Sequence, residues 1–163
     1  MLDAKKFVIT KIIDAPREKV WAAWTEPDHL TNWWGPKDFT APVIKIDLRV
    51  GGKYLYAMRG PDGKEYWSGG VFKEVIPGER IEVTDGFMDK DGNKMRPSDF
   101  GLNPDFPDES DIIIQFESHG TKTKLSIEYK LPESPAARMA MQDSGMEQGW
   151  NSSLDKLEAK AKR

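Results

Sequence analysis

The sequence predicts an α+β domain: a curved antiparallel sheet of six to seven strands, two short helices after the first strand, and a long C-terminal helix against one sheet face. Three observations carry this. Strand-like segments follow one another between Phe39 and Leu131, separated by turn signals at Gly51-Gly52, Pro61-Asp62-Gly63, Pro77-Gly78 and His119-Gly120. Two short apolar-flanked segments interrupt the chain after its first strand. The last segment places Met146, Trp150, Leu154, Leu157 and Ala161 at helical spacing, one apolar stripe suited to the open face of a sheet.

Each element has its own signal. Lys6 to Ile13 (KFVITKII) is β-branched and aromatic enough for a strand. Asp14-Ala15-Pro16 opens a helix, because proline at the first helical position has no amide hydrogen to leave unpaired. Val20 and Trp24, four apart and beside Trp21, give that helix an apolar flank. Glu26-Pro27-Asp28 breaks it. A second short helix follows over DHLTNWW, with Leu30, Trp33 and Trp34 on one side and Gly35-Pro36 as its stop. Strands are expected over Phe39 to Val50, Gly52 to Arg59, Glu65 to Val75, Arg80 to Phe87, Asp111 to Ser118 and Thr121 to Leu131. Between the fourth and fifth of these, Met88 to Ser110 has no steady period and is rich in Asp, Pro and Gly, an excursion of the kind that often carries function. Ser134-Pro135 caps the final helix, which would run roughly 40 Å if unbroken to Lys162. Gly145 and Gly149 predict a kink in it.

Composition narrows the function. A chain of 163 residues is expected to form one domain over 1–163, and a formal charge of −3 without a dense basic block argues against nucleic acid as a partner. The absence of cysteine removes disulfides, thiolate nucleophiles and sulfur-based zinc sites. No apolar run reaches the ~18 residues of a membrane span. The opening MLDAKKFVIT is charged and then alternating, unlike a secretion signal. No membrane partner and a cytoplasmic location are expected.

Catalytic and metal chemistry find little to rest on. His29 and His119 sit in different parts of the chain, so no imidazole pair is expected. Asp89-x-Asp91-Gly92-Asn93 reads as a turn, since its glycine and the following residues do not match a calcium loop. Glu74 and Asp85 lie on strands and could face inward, with Glu65 and Asp111 flanking others, but no catalytic residue, metal ligand or cofactor is assigned. The aromatics say more. Tyr54, Tyr56 and Met58 alternate and share a face; a tyrosine offers a flat apolar ring and one hydroxyl that needs a partner when buried. Phe72, Phe87 and Ile114 on other strands, and Met146, Trp150 and Leu154 on the last helix, are the facing candidates for lining a cavity. Each would serve equally in a packed core. In a chain of mean hydropathy −0.63, the adjacent Trp33 and Trp34 point about 100° apart on a helix. One is expected to seal the core and the other to rim a cavity mouth.

Several stretches carry a resemblance: Asp14-Ala15-Pro16 with Val20-Trp21; Leu30-x-x-Trp33-Trp34-Gly35-Pro36; Asp47-Leu48-Arg49-Val50-Gly51-Gly52; Gly70-Val71 with Val75 and Pro77; Gly120-Thr121; and Gly149-Trp150 with Leu154 and Leu157. In this order they resemble the Hsp90-ATPase-activator-homologue (AHSA1-like) proteins of the START/Bet v 1-like (SRPBCC) helix-grip superfamily. The resemblance implies a sheet wrapped on the C-terminal helix with a cavity between them. Members of that family bind small hydrophobic molecules, and the leading expectation here is binding of such a molecule as a carrier or sensor without catalysis, with no cofactor assigned. Its family name suggests an alternative, a co-chaperone-like interaction module with a chaperone partner and a role in stress response. A third reading, a cyclase or hydrolase, requires a buried carboxylate or tyrosine with a strongly shifted pKa. An exposed sheet edge offers a route to a homodimer. The excursion over 88–110 is longer than the resemblance leads one to expect, and its Phe100 and Phe106 are candidates for a lid.

Overall fold

Alternation of apolar and polar side chains sets the layers. In the computed structural model, which describes residues 6–162, the strands are β1 (Lys6–Ile13), β2 (Thr40–Ile46), β3 (Lys53–Arg59), β4 (Glu65–Ile76), β5 (Arg80–Met88), β6 (Glu109–His119) and β7 (Lys122–Lys130). They pair antiparallel in one sheet of order β1-β7-β6-β5-β4-β3-β2. Every second residue enters the core: Phe7, Ile9 and Ile13 from β1, Tyr54 and Tyr56 from β3, Ile112, Ile114 and Phe116 from β6, and Leu125, Ile127 and Tyr129 from β7. Burying each such side chain contributes roughly 1.5 to 3 kcal/mol. The helix-grip α+β expectation matches this architecture.

The two insert helices are shorter than their sequence signals suggest. Helix α1 (Arg17–Thr25) begins one residue after Pro16, which is extended and stands as the cap. Helix α2 (Pro27–Leu30) is a single turn. Beyond it the amides of Asn32 and Trp33 bond three residues back, to His29 and Leu30, so the chain tightens where a longer helix to Trp34 was expected. Gly35, at φ 96°, turns the chain out of that coil.

The C-terminal segment is two helices. In α3 (Pro135–Asp143) the Ser134 hydroxyl accepts the Ala137 amide at 3.3 Å. Gly145, in the left-handed region at φ 78°, then separates it from α4 (Met146–Ala161). The predicted kink is thus a break, and the gripping helix is about 24 Å long instead of about 40 Å. Gly149 stays inside α4. Leu154, Leu157 and Ala161 of α4 belong to the same buried cluster as Val20 and Trp24 of α1 and the inward sheet residues. Lys156 ties α4 to the turn after Trp34 by donating to the carbonyls of Gly35, Pro36 and Phe39 at 3.0 to 3.3 Å.

Pairing of β4 with β5 lapses at Gly70-Val71 without a change of register, and this lapse positions the site. Residues Trp67 to Gly69 pair with Met88 to Gly86, and pairing resumes at Phe72 with Val83. Between them the Val71 amide bonds the Thr84 side-chain hydroxyl at 3.0 Å, which leaves the Thr84 carbonyl free of that rung. A Cβ on Gly70 would lie 1.9 Å from the Thr84 carbonyl oxygen, so only glycine admits this crossing. The excursion after β5 folds back through a Met88–Lys94 bridge and one 3₁₀ turn, Pro97–Phe100, which sets Phe100 against Phe87 at 5.2 Å.

Candidate functional site

The sheet's concave face and α4 do not meet everywhere. Two chambers that share part of their walls lie between them, one inner with about 50 Å³ of free volume and one outer with about 240 Å³. The inner chamber is walled by Tyr54, Tyr56, Phe72, Ile81, Val83, Ile112 and Ile114 from the strands, together with Trp24 and Ile46. The outer one is bounded by Met58, Ser68, Phe87 and Ser110 from the sheet. Gly35 and Pro36 follow α2 at its edge, Met146, Gly149 and Ser153 come from α4, and Phe106-Pro107 come from the excursion. Trp34, Trp150 and Asp85 border both.

An aromatic partition stands at the boundary. Trp150 stacks on Trp24 at 5.9 Å and meets Trp34 edge to face at 5.6 Å, and Trp34 meets Tyr56 at 4.9 Å. The Trp150 indole N–H donates to the Tyr129 hydroxyl at 2.8 Å, which fixes the ring's orientation.

Asp85 brings the one carboxylate among the described residues that line either chamber. It reaches the concave face by strand alternation, in register with Ile81, Val83 and Phe87 of β5. Tyr54 stands opposite Gly70 in the β3–β4 register. With no side chain there to block it, the Tyr54 hydroxyl spans to β5, 2.8 Å from both the Thr84 carbonyl oxygen and Asp85 Oδ1. One hydroxyl hydrogen faces two acceptors. The Tyr54 hydroxyl is thus a donor shared between the Thr84 carbonyl and Asp85 Oδ1. Burial raises the Asp85 carboxyl to about 6; the Tyr54 hydrogen bond pulls it down and the charge of Glu109 pushes it up. Burial, and then the nearby Asp85 charge, push the hydroxyls of Tyr54, Tyr56 and Tyr129 well above the ordinary tyrosine range.

The residues singled out from sequence fall into two groups. Trp34, Tyr54, Tyr56, Met58, Phe72, Phe87, Ile114, Met146 and Trp150 border one chamber or both. Trp33 and Leu154 are fully buried in the packed core and border neither; the Trp33 indole donates to the Ala23 carbonyl at 2.7 Å and its ring packs on Trp24 at 4.9 Å. Of the two lid candidates, Phe106 borders the outer chamber and Phe100 packs between Tyr66 and Phe87 at its flank. Sequence reasoning noted Asp85 as an inward carboxylate without assigning it to the site, and it missed Trp24, Ser68, Pro107 and Gly149. Glu74, its companion in that reading, faces Arg80 at 2.7 Å. No three His, Cys, Asp or Glu side chains among the described residues gather as metal ligands. No helix of those residues is long and apolar enough to cross a membrane.

Comparison with known proteins places this architecture. The family model described as "Activator of Hsp90 ATPase homolog 1-like protein" matches residues 14–162. A crystal structure of a Mycobacterium smegmatis protein is 30% identical with a TM-score of 0.80, over 98% of this chain and 91% of that one. A solution structure of an Arthrobacter aurescens protein is 27% identical with a TM-score of 0.82, over 99% and 90%. An AHSA1 protein from Silicibacter pomeroyi, 24% identical with a TM-score of 0.70 over 94% and 95%, shares the fold. Comparison with curated proteins yields no match.

Proposed function

The chain belongs to the activator of Hsp90 ATPase homolog 1-like family, and from that premise we propose that it binds a small, mostly apolar molecule between the sheet and α4, as a carrier or sensor without catalysis. The observation that carries this reading is the outer chamber, about 240 Å³ of largely apolar-walled space. For scale, an apolar cavity of about 150 Å³ is enough to hold benzene. A ring or short chain fits the outer chamber, with the Trp34–Trp150 partition at its inner end. Apolar walls with a few convergent polar groups are the usual make-up of a ligand pocket.

The family description names activation of a chaperone ATPase, a docking function that calls for a contiguous apolar surface. Among the described residues the large exposed apolar side chains are Val8 and Ile12 on β1, Val50 before β3, Ile76 at the end of β4 and Met139 on α3.

Tryptophan emission is the direct test, because Trp24, Trp34 and Trp150 all border the chambers. Titration with a panel of small apolar ligands is expected to shift the emission saturably and to raise the melting temperature as bound ligand stabilises the native state. If no ligand moves either signal while the protein stimulates an Hsp90 ATPase, the carrier reading is wrong and the docking one takes its place.

A further inference from the structure

The charge at the chamber boundary says what the ligand's polar end must be. Apart from Asp85, the described side chains lining the two chambers are aromatic, aliphatic or hydroxyl-bearing. No lysine or arginine is among them, and no described ion pair includes Asp85. Its Oδ1 is held by the Tyr54 hydroxyl at 2.8 Å, while no described residue donates to Oδ2. Asp85 is half-buried and its Oδ2 opens to the chamber without a protein donor, so a cationic group entering there meets an unpaired acceptor.

The surroundings favour a cation over a neutral donor. Trp34 and Trp150, perpendicular at 5.6 Å, border the same junction, with Tyr56 4.9 Å from Trp34. The faces of such rings carry partial negative charge and attract ammonium groups, which a hydroxyl end does not exploit. An anionic end, such as a fatty-acid carboxylate, meets like charge at Asp85.

We infer that the ligand is an organic cation, an apolar body ending in a protonated amine that sits on Asp85 Oδ2 beside Trp34 and Trp150. This deepens the cavity reading and rests on it. The titratable groups facing Asp85 are Tyr54 and Tyr56 from β3 and Tyr129 from β7, while Glu109 acts on it through the sheet from the other face, where it pairs with Lys94 at 3.2 Å. From α4 and the segment after α2 it meets Trp150 and Trp34, which do not titrate. Asp85 is therefore the group whose ionisation controls amine binding between pH 5 and 7.5.

The test uses hexylamine, hexanol and hexanoate with the full chain, read by tryptophan emission at pH 7.5. A charge-assisted bond exceeds a neutral one by enough to make hexylamine about tenfold tighter than hexanol, with hexanoate weakest. In Asp85→Asn the amine preference disappears and hexanol affinity stays within about threefold. Lowering the pH of the wild type to 5 protonates Asp85 and weakens hexylamine about tenfold without moving hexanol. Hexanol binding as well as hexylamine overturns the cation inference and leaves the cavity reading standing. Failure of every probe to bind overturns both. Should Asp85→Asn not fold, the wild-type pH series decides alone, and a hexylamine affinity equal at pH 5 and 7.5 sinks the inference.

Discussion

Asp85 weakens the empty protein at neutral pH. Its carboxyl titrates at about 6 in the folded chain because burial disfavours the charge, against about 3.9 when unfolded. Between these values the native state holds its proton while the unfolded state has lost it, so this residue's contribution falls as pH rises through the window and stays low above it. Asp85→Asn, which cannot ionise, is therefore expected to exceed wild-type stability by roughly 2 to 3 kcal/mol at about pH 8, the excess vanishing near pH 4. Urea denaturation of both proteins across that range measures the difference; a pH-independent difference would mean Asp85 is not held in its neutral form by burial. Tyr54→Phe tests the other half of the pair. Removing the hydroxyl takes away the hydrogen bond that lowers the Asp85 pKa, so the midpoint of the pH-dependent tryptophan signal moves upward. The half-buried Thr84 carbonyl also loses its donor, at a cost of about 1 kcal/mol. The inward aim of Asp85 was legible, since it keeps step with Ile81, Val83 and Phe87. Its partner was not, because Tyr54 lies two strands away and reaches it only across a residue without a side chain.

At the level of elements, the side-chain-free position 70 of β4 makes that reach available. Gly70 faces Tyr54 across the β3–β4 ladder, and an added methyl would lie 1.9 Å from the Thr84 carbonyl oxygen, a backbone atom that cannot swing aside. Gly70→Ala is expected to destabilise by at least about 2 kcal/mol through overpacking. Where it folds, it should disturb the Tyr54–Asp85 contact and so shift the same pH midpoint. A Gly70→Ala protein that melts with the wild type would mean the strand relaxes freely there. A glycine pair inside a strand signals close backbone approach, but which carbonyl approaches depends on a neighbouring strand's register. The same limit explains the C-terminal segment. Its apolar stripe announced a helix and Gly145 an interruption, yet a kink and a break differ only in whether that one residue crosses to positive φ, which tertiary packing decides.

Across the whole molecule, strand alternation and turn chemistry made the fold readable, because each strand's register follows from which face it buries. The space between the layers was less readable. Its size depends on how four large rings from three helical segments and the sheet share one boundary, and side-chain lists do not contain that. Gly149 lets this space be probed directly. It lies within α4, where glycine costs about 1 kcal/mol relative to alanine, and a Cβ there would meet only Pro36 Cγ at 3.9 Å, an ordinary contact. Helical stability thus favours replacing it, while the outer chamber it borders favours keeping it. Gly149→Ala is expected to raise stability by roughly 0.5 to 1 kcal/mol and to leave hexanol affinity within about twofold. Gly149→Leu gains the same helical preference, and its longer side chain has the outer chamber to enter, so it should melt at or above the wild-type temperature and bind hexanol at least about tenfold more weakly. Calorimetric melting and tryptophan titration of the two variants separate these effects. Unimpaired binding by a stable Gly149→Leu protein would move the ligand out of the outer chamber altogether, since a filled space cannot also be an occupied one.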